Sequence, residues 1–390
     1  MPRSPRRKIL FYCQSLVGLG HLTSSLLVIR ELLKHADVDL IHGGQTIPVW
    51  PEHGGFRHLR LPTILIDSET DELYVPDSDC SIQALWAARS AAIEHFVNWP
   101  YDAVIVEFFP FGRRRLKKEI LGLFRAVRQA CGPVPIFSFV REILVPAPLD
   151  AEQRMVQLVQ DHIHTIFVRG DPEVVRFEET FSLTDAIANR LVYTGYVSPP
   201  PPAQWPVRLK RIMVSQGGGE IGRVVLQAAI QAAPLLLDYH FLVVASSRAS
   251  EPEIGELRSL VESPNVEVVT FLSEFQENLL NSALSVSLGG DNTMMDVIST
   301  RTPALAFPYP GNSEQALRIT KLSDKGFVFP LTTDDLTPKR FSAKIKETLC
   351  KSYPEESISS DGAAVISHRI KMILDRHLPP GPINSSVRNY

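Results

Sequence analysis

Residues 198–206 read SPPPPAQWP. Consecutive prolines lack the backbone N–H and hold φ fixed, so this segment enters neither a helix interior nor a central strand and favours polyproline II. On both sides of it one pattern recurs: a short, nearly continuous apolar run, then a longer amphipathic one. Before it, KILFYCQS, VDLIHGG, DAVIVEFF, VPIFSFV, HTIFVRG and RLVYTGYV read as strands, and 21–34, 81–99, 113–129 and 152–162 as helices. After it, RIMVSQGGG, FLVVASS, VEVVTFL, LSVSLGG and PALAFPY read as strands. The helices there span 222–237, 253–262, 274–282, 292–300, 313–325, 338–350 and 363–376.

Strands that are apolar on both faces need cover on both faces, which a parallel sheet between helix layers supplies. We therefore expect an α/β chain of two Rossmann-like domains facing across a cleft. The first spans 1–198 and the Pro-rich linker 199–206. The second spans 207–345, and 346–390 forms a helical segment and tail whose last helix crosses back to the first domain. A length of 390 residues with 44% hydrophobic content suits two domains of roughly 150–200 residues.

The net charge of −3 carries no general argument for nucleic acid binding, so none is expected. Cys13, Cys80, Cys131 and Cys350 are widely spaced, which disfavours a disulfide scaffold or a zinc site and fits a reducing compartment. The start, MPRSPRRKILFYCQSLVG, pairs a basic end with a short apolar run broken by Gln14 and Ser15; we read a buried first strand, not a targeting segment. No run approaches the roughly 18–20 apolar residues of a membrane span. The expected location is cytoplasmic, with peripheral contact at the inner face of the membrane left open. Oligomeric state is not legible.

Chemistry concentrates at strand ends. SQGGGEIG (215–222) follows a strand and precedes a helix, so its glycines let backbone N–H groups approach an anion at a helix N-terminus; a plain tight turn is the other reading. It is neither GxGxxG nor a P-loop. SLGGDNTMMD (287–296) repeats the arrangement. There Asp291, Asn292 and Thr293 suit helix capping, and Asp296, one turn in, suits either ribose hydroxyls or solvent. PYPGNSEQALR (308–318) leads into a third helix. Glu314 and Gln315 in its first turn offer the mixed acceptors and donors that sugar hydroxyls need, although helix-dipole placement alone would account for Glu314. Three such strand ends on one face have the layout of a nucleotide-sugar site.

The motifs LVGLGH (16–21), SQGGGEIG and GGDNTMMDVISTRTPALAFPYPGNSEQALR (289–318) closely resemble glycosyltransferase family 28, the MurG-like group. Within it the chain is most similar to bacterial predicted glycosyltransferases with a GxGH start and an EFFPFGRR segment. The resemblance implies the two-Rossmann GT-B fold and an inverting hexose transfer to an acceptor hydroxyl. The co-substrate it implies is a nucleotide-diphosphate sugar, most often a UDP-sugar, with no other cofactor and no catalytic metal. The acceptor, whether small molecule, lipid-linked or glycan, would sit on the first domain. By the same resemblance Ser215, Gln216, Gly217 and Gly218 contact the diphosphate, Leu272 reads the uracil edge, and Asp296 stands where the family has a ribose-binding glutamate. Glu314 and Gln315 hold the donor sugar, and Gly20, Gly290, Asn292 and Thr293 complete the donor site.

His21, following Gly18 and Gly20, is the candidate base, since an imidazole titrates near neutrality. Glu107 and Glu142, at or just past buried strands, compete for that role or orient His21; salt bridges to Arg141 or Arg113 are the plainer reading. EFFPFGRRRLKK (107–118) reads either as an anchor for a phosphorylated acceptor or anionic membrane, or as a buried strand end followed by a basic helix face. Two other activities stay open: a nucleotide-sugar 2-epimerase or hydrolase on the same fold, and a non-catalytic nucleotide-sugar-binding protein.

Overall fold

The structure is a computed structural model that describes residues 6–16, 20–44, 50–66, 73–75, 81–97, 99–202, 204–216, 222–246, 249–270, 272, 274–355 and 357–376. The apolar runs become strands. In the first half these are β1 (Arg7–Gln14), β2 (Ala36–Gly43), β3 (Phe56–Arg60), a two-strand antiparallel hairpin β4 (Leu65–Ile66) and β5 (Leu73–Tyr74), β6 (Ala103–Glu107), β7 (Ile136–Arg141), β8 (Thr165–Arg169) and β9 (Leu191–Tyr193). The second half holds β10 (Leu209–Ser215), β11 (His240–Val244), β12 (Val266–Val269), β13 (Ser282–Leu288), β14 (Ala304–Phe307) and β15 (Phe329–Pro330). Two parallel sheets result, ordered β3-β2-β1-β6-β7-β8-β9 and β12-β11-β10-β13-β14-β15.

The helices are α1 (Gly20–Leu32), α2 (Ile82–Phe96), α3 (Lys117–Cys131), α4 (Leu149–His162), α5 (Arg223–Ala232), α6 (Glu251–Ser259), α7 (Phe275–Leu280), α8 (Asp291–Ser299), α9 (Ser313–Asp324), α10 (Pro338–Leu349) and α11 (Gly362–Arg376). Alternate residues along β1 bury into different layers. Leu10 and Tyr12 pack with Ile93 of α2, Phe124 of α3 and Val159 of α4. Ile9 and Phe11 pack with Leu26 of α1 and Ile366 and Ile370 of α11. That the first sheet is apolar on both faces thus has its physical cause in two helix layers.

The chain's last described helix covers the first sheet, not the second. Its route depends on a backbone crossing that only glycine fits: a Cβ on Gly362 would stand 2.5 Å from the Gly195 carbonyl oxygen and 2.8 Å from that of Tyr196. His35 Nε2 then meets Ser367 Oγ at 2.8 Å, and Arg7 Nη2 donates to the Leu374 carbonyl at 3.2 Å.

Four strands were absent from the sequence reading: β3, the two-residue pair β4 and β5, and β15. β3 is an edge strand, half exposed and paired only through β2, so it lacks the apolar run that marks its neighbours. β15 is two residues long, one of them a proline at the opposite edge. The acidic segment 67–79 falls mostly outside the described residues. In EFFPFGRRRLKK, Phe109 and Phe111 are buried core residues. The basic start is likewise spent on ion pairs: Arg6 with Asp37 at 2.8 Å, Arg7 with Asp102 at 2.7 Å and Lys8 with Asp39 at 3.2 Å. Among the described residues no helix is long and apolar enough to cross a membrane.

Beneath α2 and α3 lies a buried ion pair in which every nitrogen and oxygen of the two charged groups has a partner. Arg89 donates to Glu119 at 2.7 and 2.8 Å, to Gln14 Oε1 at 2.8 Å and to the Pro62 carbonyl at 2.5 Å, and Tyr12 donates to Glu119 at 2.5 Å. Removing one charge leaves the other stranded, which typically costs about 3–5 kcal/mol. Chemical denaturation of Glu119→Gln should show a loss of that order, whereas Arg89→Met combined with Glu119→Leu should recover most of it. Equal losses in both would show that the charges are not coupled.

Candidate functional site

In an open parallel sheet, ligands collect outside the strand C-termini where the strand order reverses, because loops on either side of that point diverge and leave a crevice. The first sheet reverses between β1 and β6, and the second between β10 and β13. The candidate residues gather at these two points.

At the first, α1 starts with Gly20 and His21, and β6 ends in Glu107, a carboxylate with no exposed surface. His21 Nδ1 lies 2.5 Å from Glu107 Oε1. An ionised carboxylate only accepts, so Nδ1 carries the proton and Nε2 presents a lone pair. Arg113 donates to Glu107 at 3.3 Å and Arg169 at 3.5 Å, and Arg169 also donates to Ser24 Oγ at 2.5 Å. Burial pushes Glu107 upward, but His21, Arg113 and Arg169 outweigh it and hold the carboxyl at about 2. Burial takes His21 down; Glu107 opposes this and Arg141 and Arg113 add to it, leaving about 4. At neutral pH the pair is therefore a neutral imidazole on a carboxylate.

At the second point, Ser215 and Gln216 end β10 in buried positions. Gly217 and Gly218 lie outside the described residues, as does Gly18. A Cβ on Gly222 would stand 2.7 Å from the Gln216 carbonyl oxygen, so the described residues on either side of 217–221 lie against each other. β13 runs through Gly289 to Gly290, the N-cap of α8, which has no side chain to cover the first-turn amides. Asn292 meets the first domain: a Cβ on Gly20 would come within 2.6 Å of its Nδ2. Thr293 is half-buried in the same turn. Asp296, one turn in, is pushed up to about 7 by burial. Leu272 is half-buried against a cluster that includes Met213, Leu242 and Met294. Asn312 Oδ1 caps α9 by accepting from the Gln315 N–H at 2.9 Å, and Gln315 Oε1 accepts from the Tyr309 N–H at 2.9 Å.

The two points are joined by ions that sequence reasoning missed. Arg141 donates to Glu314 at 3.0 Å and faces Asp291 at 3.2 Å. Arg318, fully buried, donates to Glu314 at 2.9 Å and to the Gly289 carbonyl at 3.2 Å, and faces Glu142 at 3.5 Å. Glu107 does pair with Arg113, but the cation facing Glu142 is Arg318 from across the cleft, not Arg141. Among the described contacts none joins Glu142 to His21. The available signal was a charged residue closing a buried run, as in IFSFVRE and HTIFVRG.

Glu142 has no exposed surface, and neither carboxyl oxygen has a hydrogen-bond partner among the described residues. Burial raises it to about 7 against the pull of Arg318, so the folded chain keeps its proton where an unfolded glutamate, near 4.5, has lost it. As pH climbs from about 4.5 to 7, the folded state loses stability relative to a chain with glutamine there. The melting temperature of Glu142→Gln minus that of the native chain should rise across that window and then level off. A flat difference would place the carboxyl in a polar environment.

Residues 213–370 match the glycosyltransferase family 28 C-terminal domain. The second half of this chain is thus similar to the C-terminal domain of family 28 glycosyltransferases. An uncharacterized glycosyltransferase of Methanopyrus kandleri is 20% identical over 239 residues, covering 57% of this chain and 64% of that protein. The UDP-N-acetylglucosamine--N-acetylmuramyl-(pentapeptide) pyrophosphoryl-undecaprenol N-acetylglucosamine transferase of Methylobacterium radiotolerans is 28% identical over 171 residues, covering 42% of this chain and 46% of that one. The matches thus span between about half and just under two thirds of these relatives. The calicheamicin glycosyltransferase superposes on 96% of this chain and 100% of its own, with a TM-score of 0.62 at 17% identity. Both halves accordingly share the GT-B architecture, and the segment that matches the family 28 model carries Ser215, Gly290 and Glu314.

Proposed function

We propose that this protein transfers a hexose from a UDP-sugar to an acceptor hydroxyl, with inversion and without a metal. The observation that carries the reading is the neutral His21 imidazole on Glu107, facing the uncapped N-terminus of α8 across the cleft. In that geometry the acceptor hydroxyl donates its proton to His21 Nε2 as its oxygen attacks the anomeric carbon. The bond from that carbon to the diphosphate oxygen breaks on the opposite face, and the electron pair leaves with the diphosphate. Glu107 stabilises the imidazolium that forms. The α8 amides and the turn after Ser215 and Gln216 meet the developing negative charge.

The donor's other parts have candidates as well. Asp296, half-buried, suits the ribose, and Leu272 suits the uracil edge. Glu314 and Gln315 suit sugar hydroxyls. The name of the Methylobacterium radiotolerans relative supports UDP as the nucleotide. A groove of about 1250 Å³ between α2 and α3 is lined by the apolar Trp86, Ile93 and Leu123 and by the basic Arg114, Arg115 and Lys118. It offers an acceptor both apolar surface and positive charge, which suits a lipid-linked acceptor.

Incubation with a panel of UDP-sugars and acceptors should give glycosylated product, and His21→Ala should lower kcat by roughly 100-fold or more with donor affinity retained. Release of free sugar without an acceptor would point to a hydrolase or epimerase instead. Turnover undiminished in His21→Ala would remove His21 from the base role.

A further inference from the structure

Arg141 ends β7 in the first domain, yet most of its contacts lie in the second. Its Nε faces Asp291 Oδ2 at 3.2 Å, at the start of α8, and its Nη1 donates to Glu314 Oε1 at 3.0 Å, in the first turn of α9. The remaining arm, Nη2, lies 3.4 Å from His21 Nε2. A guanidinium is planar and permanently charged, and its donors diverge in a fixed fork. Three partners in three directions are met together only while all three are in place. Two of those partners belong to the second domain and one to the first.

We propose that Arg141 is a positioning residue that ties the basicity of His21 to the mating of the two domains: anchored on Asp291 and Glu314, its guanidinium adds to burial in keeping Nε2 unprotonated and available as the acceptor. The proposal rests on the reading of His21 as the base of a glycosyl transfer.

The balance of charge around His21 shows why such a device is needed. Glu107, from β6, favours the imidazolium. Arg113, from the turn after β6, and Arg141, from β7, oppose it. Arg169, from β8, acts on the Glu107 carboxylate, and Asp291, from α8, adds a second negative charge on the cleft side. With Arg141 withdrawn, one of the two opposing cations is gone while the buried carboxylate stays at 2.5 Å. The proton affinity of Nε2 then rises from the low level that burial, first, and the two arginines set. With Arg141 anchored, the lone pair is kept free of a proton and held by only a long contact, which an acceptor hydroxyl displaces.

The test reads His21 directly. The imidazole Cε1–H resonance, assigned by its loss in His21→Gln, is titrated by NMR in the native chain, Arg141→Gln and Arg141→Lys, each checked for folding by its thermal transition. The native midpoint should lie well below that of a free histidine. In Arg141→Gln it should rise by about one pH unit or more, and Arg141→Lys, which keeps the charge but not the fork, should fall between. If Arg141→Gln does not fold, Arg141→Lys alone carries the comparison. Asp291→Asn separates anchoring from simple charge. Deleting a nearby negative charge by itself lowers the midpoint, whereas releasing Arg141 raises it, and a rise is expected. Midpoints unchanged in both Arg141 variants, or a fall in Asp291→Asn, overturn the proposal. UDP binding on the same samples keeps the two claims apart. An unshifted His21 with UDP bound refutes the coupling alone, and a shifted His21 in a chain that binds no nucleotide refutes the transferase reading.

Discussion

Glu107 is an ionised carboxylate with no surface open to water, and the cleft is organised around keeping it so. An isolated buried carboxylate would take up a proton. Here two arginines from different loops and one imidazole hydrogen bond supply what water would have supplied. The same contacts orient His21, since the proton that satisfies Glu107 must sit on Nδ1. One electrostatic requirement therefore sets both the charge state and the tautomer of the candidate base. It also explains why the residues come from the ends of β6 and β8 and the start of α1, because these are the places where a parallel sheet brings separate loops together.

The second organising feature is reciprocal charge across the cleft. The first domain contributes Arg141 and Glu142 in tandem; the second answers with Glu314 and Asp291 for the arginine, and with Arg318 for the glutamate. Buried ion pairs of this kind add little net stability, but a mismatched approach would strand charges and cost several kcal/mol. Their role is to specify one mating of the domains, and in that mating the N-termini of α1 and α8 touch.

Much of the architecture was legible because strands buried on both faces are written as apolar runs, and the turns at their ends as glycines. KILFYCQS, DAVIVEFF and LSVSLGG are of this kind, and each lies on a central strand. β3 was not legible, since an edge strand with one face in water has no such run, nor was β15, which is too short for any period. The pairing of Glu107 with Arg113 was within reach because six residues separate them. The partners of Glu142 and Glu314 were not, because which strand ends face each other is decided by how the two domains mate. The roles of Ser215, Leu272, Asp296 and Gln315 remain those a resemblance suggests, now with positions around one cleft.

The central claim is that the second reversal point holds a nucleotide diphosphate. The most direct measurement is thermal stabilisation of the purified protein by UDP and UDP-sugars in the presence of a chelator, for the native chain and for Asp296→Ala. A ligand at about 100 times its dissociation constant adds roughly 2.7 kcal/mol. The account predicts a clear rise in melting temperature with UDP and with at least one UDP-sugar, lost or strongly reduced in Asp296→Ala. No rise with any nucleotide would contradict it.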